Sequence, residues 1–233
     1  YDIASNEWTW MKGPNVTDDP GSYGTQGIPS INNVPPSRSE CAASWVDTSG
    51  NLWVFGGWYP GASFNDLWKY DPLTNEWTWM KGSSTMGAAD VYGTKNVSNA
   101  TNTPGGRNIY TKWNDGNNNL YLFGGDAFAL GVLHNDVWKY SIATNEWVWV
   151  SGTNLPNLAS NATATCVSDS LIYPAGKREG RACWVDPCKK FWLFGGSSQG
   201  SFYGSQNDLW KFDPLTHEWT WVSGSQTPIQ SGN

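Results

Sequence analysis

The chain has 233 residues, with 17 Trp, 26 Gly, only 15% charged residues and a formal net charge of −6. That aromatic content can fill a core and excludes a disordered chain, the sparse Ala, Leu, Glu and Lys argue against a helical one, and the acidic balance offers no basic stripe for nucleic acid. No apolar run approaches the ~18 residues of a membrane span.

In chain order, the first signal is "YDIASNEWTWM", a Trp-x-Trp strand after a turn, at 1–13. It begins in mid-phrase with neither an initiator Met nor a signal peptide, so the chain reads as part of a longer polypeptide. A polar insert covers 14–35. A unit of four strand signals follows at 36–82. An Arg-containing lead ("PPSRSE") enters strand a at Trp45; "NLWVFGG" is strand b, "NDLWKY" strand c and "NEWTWM" strand d. After an insert at 83–103 the order returns at 104–152 with Trp113, "NLYLFGG", "NDVWKY" and "NEWVWV". After an insert at 153–175 it returns at 176–224 with Trp184, "KFWLFGG", "NDLWKF" and "HEWTWV". The pairs Trp8/Trp10, Trp77/Trp79, Trp147/Trp149 and Trp219/Trp221 stand 69, 70 and 72 residues apart, a spacing that marks a propeller, solenoid or array.

Alternation within each strand has period two, so Trp at i and i+2 share a face. Short a–b and c–d connections, the latter set by "DPLT", predict an antiparallel meander. One such blade leaves two apolar faces unburied, and stacking blades around an axis buries both. The expected fold is all-β: a propeller of four-stranded antiparallel blades, three full ones plus a leading strand. The double glycines at Gly56-Gly57, Gly124-Gly125 and Gly195-Gly196 are expected where backbones approach closely. Three blades do not close a ring, so a whole of six or seven blades is expected.

The recurring order, carried by "LWVFGG", "NDLWKYDPLTNEW" and the Pro-x-Arg lead, resembles the kelch repeat. The resemblance covers nearly all of the chain outside the inserts. It implies a kelch-type β-propeller related in fold to the galactose oxidase central domain. The period of about 70 residues exceeds the usual ~50.

The surplus lies in the inserts and in the b–c loops at 58–64, 126–134 and 197–206. In a meander these connections leave from one end, so one face is elaborated and the other bare. Four sequons, at Asn15, Asn96, Asn99 and Asn161, all fall in inserts, where a glycan has room; they point to a secreted, extracellular glycoprotein. The b–c loops carry Trp58, Tyr59 and Phe64, then Phe128, then Phe202 and Tyr203. When such residues do not simply cover their own core, they suit contact with other protein subunits or, alternatively, carbohydrate. Cys183 and Cys188 flank an a–b turn and would bridge across it if the strand pairing sets them opposite each other; Cys41 and Cys166 form the complementary pair on the elaborated side, with a bridge elsewhere left open.

Candidate chemistry is sparse. His134 and His217 read as surface turn residues on opposite faces and cannot share a metal. The copper constellation of galactose oxidase, which the resemblance brings to mind as a requirement, is not met. Asp66, Asp136 and Asp208 recur at strand c and Glu76, Glu146 and Glu218 at strand d, one set per unit; a catalytic pair is normally unique, so these read as structural, closing turns or pairing with Lys69, Lys139 and Lys211. Asp18, Asp19, Asp90 and Asp126 do not repeat and lie on the elaborated side, with no spacing specific to calcium or sugar. The expectation is a non-enzymatic scaffold without cofactor or metal, whose function resides in what differs between repeats. An extracellular fibre or surface assembly is its possible setting. A carbohydrate-binding propeller is the alternative, and an enzyme with its active site in other blades the third reading.

Overall fold

The structure, a computed structural model, describes residues 1–39, 42–108, 111–127, 131–178, 181–198 and 204–227. The first blade comprises β1 (Ala43–Val46), β2 (Leu52–Phe55), a small hairpin of β3 (Trp58–Tyr59) and β4 (Ala62–Ser63), then β5 (Leu67–Asp71) and β6 (Glu76–Lys81). The second holds β7 (Thr111–Asn114), β8 (Asn119–Ala127), β9 (Val132–Ser141) and β10 (Glu146–Ser151). The third holds β11 (Ser168–Asp169), β12 (Arg181–Val185), β13 (Phe191–Ser197), β14 (Ser205–Asp213) and β15 (Glu218–Ser223). The pairing orders β1-β2-β5-β6, β7-β8-β9-β10 and β12-β13-β14-β15 are the antiparallel meanders that the repeat implies, and in the third blade β11, from the preceding insert, adds a fifth strand against β15. The fold is an all-β kelch-type propeller, with no helix among the described residues.

Cores form between blades. Ala43, Trp45, Trp53 and Phe55 of the first blade meet Leu120, Leu122, Trp138 and Trp147 of the second. Trp113, Tyr121 and Phe123 of the second meet Phe191, Leu193, Trp210 and Trp219 of the third. Trp147 and Trp219 are fully buried, whereas Trp77, at the same repeat position in the first blade, is only half-buried. The double glycines sit at these seams. A Cβ on Gly56 would stand 2.6 Å from the carbonyl of Arg107, in the next blade's lead, and one on Gly124 would stand 2.7 Å from the carbonyl of His134. Both glycines have positive φ, so no other residue is accommodated without strain.

Two features differ from the sequence expectation. In the second and third blades the b and c strands continue past the double glycine, which forms a bulge between Phe123 and Gly125 and between Phe194 and Gly196. Residues 126–127 and 132–134 of the second b–c connection, and 197 and 205–206 of the third, are therefore strand. The inserts, moreover, run along the outermost strand of the blade they precede. Gly27 N donates to Trp79 O (2.8 Å), Asn96 N to Trp149 O (2.9 Å) and Cys166 N to Trp221 O (2.7 Å). The side-chain amides of Asn33 and Asn102 add bonds to Trp77 O and Trp147 O. An open edge strand exposes unpaired backbone groups, and the inserts cover part of that edge.

Candidate functional site

Each blade carries a buried cation–carboxylate pair under the elaborated face. Arg38 binds Asp66 through both terminal guanidinium nitrogens at 2.8 Å, Arg107 Nη1 binds Asp136 Oδ1 at 2.8 Å, and Lys177 Nζ binds Asp208 Oδ1 at 2.6 Å. The second oxygen of each Asp accepts from an indole two residues on, Trp68, Trp138 or Trp210, at 2.7 Å. In the first two blades a tyrosine from the insert adds to it: Tyr23 Oη to Asp66 (2.7 Å) and Tyr92 Oη to Asp136 (2.8 Å). Burial and the neighbouring carboxylate together raise both phenols far above their ordinary value, so they remain donors.

This corrects the pairing expected with Lys69, Lys139 and Lys211. The strand c aspartates take their cation from the lead into strand a. Period two places Lys69, three residues after Asp66, on the opposite face of the strand. The Arg of the first two leads was visible, whereas the third lead uses Lys177 rather than its Arg, and which strand each cation faces is a tertiary fact.

The blades differ around this common frame. The position two before the Asp is Phe64, His134 or Gln206. Asp90 stands where the other inserts have Gly21 and Ser160. In the second blade the pair thus becomes a cluster. Arg107 also binds Asp90, whose Oδ1 accepts from Gly105 N at 2.6 Å. His134 Nε2 lies 3.9 Å from Asp90 Oδ2, and Nδ1 lies 4.0 Å from Asp136 Oδ2. Burial and Arg107 lower the His134 pKa against the pull of both aspartates, so the ring is neutral at pH 7. Burial tends to raise Asp136, but Arg107 and its other partners outweigh this and hold it ionised. His134 is only 7% exposed, not the surface turn residue expected.

The β3–β4 hairpin separates two clefts. One, of about 340 Å³, has Tyr23, Tyr59, Phe64 and Met86 among its walls, with Asp18 and Asp19 also lining it. Arg38 stacks on the Phe64 ring, 4.5 Å from its centroid. The other, of about 260 Å³, has walls of small residues such as Ala62, Gly87, Ala88 and Gly106, with Asp90 and His134 as its ionisable groups. Of the aromatic contacts expected, Tyr59 and Phe64 share the first cleft and Trp58 is half-buried in the hairpin. Phe128, Phe202 and Tyr203 lie outside the described residues.

All four sequon asparagines are exposed. Asn161 is the most engaged: its Nδ2 donates to Leu171 O (2.9 Å) and its Oδ1 accepts from Tyr173 N (2.8 Å). Cys166, Cys183 and Cys188 are free thiols, and Cys41 lies outside the described residues. The cross-turn bridge is not formed, because the register sets Cys183 opposite Leu193 and leaves Cys188 in the turn.

Repeated four-stranded blades with buried seams define the class as a kelch-type propeller. Residues 1–186 match the KLHDC2/KLHL20/DRC7 Kelch-repeats domain and residues 182–225 the Kelch motif, and the chain belongs to the Kelch-repeat family. A curated relative, N-(sulfonatooxy)prop-2-enimidothioate sulfolyase of Thlaspi arvense, is 24% identical over 212 residues, covering 85% of this chain and 51% of the relative. The chain thus spans about half the length of that relative. No helix among the described residues is long and apolar enough to cross a membrane.

Proposed function

We propose that the protein is a secreted, N-glycosylated, non-enzymatic propeller scaffold that binds another protein, of its own or another kind, through the face around the β3–β4 hairpin. An extracellular fibre or surface assembly would be its setting. The observation that carries the reading is the first cleft: apolar walls from Tyr59, Phe64 and Met86 beside the carboxylates of Asp18 and Asp19. A concave aromatic patch with polar groups at hand is what an anchoring side chain requires. Exposure of Asn15, Asn96, Asn99 and Asn161 supports glycosylation.

The test is a photo-cross-linking residue at position 59, with position 215 on the bare face as control. Adducts to a protein at 59 alone, in the native medium, are expected; equal yields at both positions, or none at 59, overturn the reading. Light scattering and negative-stain electron microscopy of the unreduced protein would then separate a filament subunit from a discrete particle.

The same cleft favours carbohydrate binding as a second reading, because Ser84, Thr85 and the two aspartates supply hydroxyl and carboxylate groups beside aromatic walls. Quenching of Trp fluorescence by oligosaccharides, lost in Tyr59→Ala, would identify it.

A further inference from the structure

The second cleft holds two hydrogen-bond acceptors with no protein donor among the described residues. Tyr92 Oη donates to Asp136 Oδ2, so toward His134 Nδ1, 3.5 Å away, it presents a lone pair. The proton of the neutral ring therefore sits on Nδ1, and Nε2 keeps its lone pair. Nε2 has no hydrogen-bond partner among the described residues, although the residue is more than nine-tenths buried and lines the cleft. Asp90 Oδ1 is occupied by Gly105 N and Arg107; Oδ2 faces Nε2 across 3.9 Å. Both atoms open onto the cleft, and an occupant that donates to both would satisfy acceptors that no protein group among the described residues satisfies.

The charge at this floor sums to one negative, from Asp90, Asp136 and Arg107. A double donor bearing positive charge is therefore favoured. The spacing discriminates between the two kinds. A zinc or magnesium ion roughly 2.1 Å from both atoms would subtend about 135° between them, far from tetrahedral or octahedral angles, and a calcium ion, whose bonds of roughly 2.4 Å would subtend about 109°, takes oxygen ligands rather than an imidazole nitrogen. An ammonium nitrogen roughly 2.9 Å from both subtends about 85°, and each N–H then stays within about 20° of straight. The walls, Ala62, Gly87, Ala88 and Gly106, are small and uncharged, and a cleft of about 260 Å³ has room beside the floor for an aliphatic stem.

We propose that this cleft, between the β3–β4 hairpin and the second blade, binds a primary ammonium on a lysine-like alkyl stem, held by Asp90 Oδ2 and His134 Nε2. The inference goes beyond the scaffold reading and does not rest on it, since the amine site stands whether or not the first cleft holds a partner. The other blades lack the site: Phe64 and Gln206 replace His134, and Gly21 and Ser160 replace Asp90.

The experiment is an NMR titration of the whole chain with Nα-acetyl-lysine methylamide, n-pentylamine, the Nε-acetylated lysine derivative and Zn²⁺. Saturable shifts at His134 from the lysine probe are expected, with millimolar affinity and no effect of the Nε-acetyl form. Binding of both amines fits a protein lysine; binding of pentylamine alone assigns the site to a small free amine. His134→Phe, which installs the residue of the first blade, should weaken the amine at least tenfold, and Asp90→Asn should do the same. Equal binding of the acetylated probe, insensitivity to both variants in folded protein, no amine binding, or Zn²⁺ binding without amine binding would each overturn the proposal.

Discussion

Arg107 Nη1 lies 2.8 Å from Asp136 Oδ1, with both side chains fully buried beneath the seam between the first two blades. The same Asp accepts from Trp138 and Tyr92, and the same Arg donates to Gly124 O at 3.2 Å and to Asp90. One ion pair thus ties a lead, an insert and strands β8 and β9 together.

Breaking that pair leaves a buried charge without its partner. Arg107→Ala should destabilise the protein by about 3–5 kcal/mol, read by urea denaturation. Arg107→Lys with His134→Gln reproduces the third blade, where Lys177 Nζ meets Gln206 Oε1 at 2.8 Å beside Asp208. That double variant should lose clearly less. An equal loss would show that the two blades are not interchangeable.

Stability should fall on mild acidification. His134 is held below its ordinary pKa by burial, then by Arg107, against Asp136 and Asp90; His217 is held down by burial, then by Lys139, against Asp213, with Lys95 adding to the lowering. A base whose folded pKa is depressed binds fewer protons folded than unfolded. Its contribution is complete above the unfolded value of about 6.5 and declines as pH drops through it. Denaturation at pH 7.5 and 5.5 should show the loss. His134→Phe combined with His217→Asn, the repeat residues at those positions, should flatten it. A slope that persists in the double variant assigns the effect to carboxylates.

Glycan occupancy should differ among the sequons when the protein is made in a secretory host. Asn161 must give up its bond to Leu171 O for Nδ2 to carry a sugar, whereas Asn99 keeps its Oδ1 bonds to Thr101 N (2.9 Å) and Oγ1 (2.8 Å) with Nδ2 outside them. Glycopeptide mass spectrometry should find Asn99 more fully occupied than Asn161. The reverse order would mean that modification precedes folding of the third insert.

The outer blade faces should make the isolated chain associate. Trp184 is 44% and Phe194 43% exposed at one end, and Leu52 is 41% exposed at the other. These occupy the repeat positions that the inner seams bury. Sedimentation should show concentration-dependent self-association at micromolar levels, weakened by Trp184→Ser with Phe194→Ser. A strict monomer unaffected by the double variant would count against sticky faces.

The cation–carboxylate pairs show where sequence reasoning stops. Asp66, Asp136 and Asp208 were recognisable as structural from their recurrence, because a repeated residue serves the repeated unit. Their partners were not, because Arg38, Arg107 and Lys177 stand about 30 residues earlier and only the closed meander brings them together. His134 was misplaced for a related reason: the b and c strands extend beyond the double glycine and carry it into the seam.

Repetition alone determined the blades. Alternating Trp, short turns and glycine pairs at a period near 70 residues act locally, within one meander, so they are legible wherever they occur. Only the tertiary structure decided that the inserts line the outer strands, that Asp90 and His134 converge on one cleft, and that Cys183 faces Leu193 rather than Cys188. Those outcomes depend on packing between segments distant in the chain and on strand register, where a shift of one residue turns every side chain to the other face.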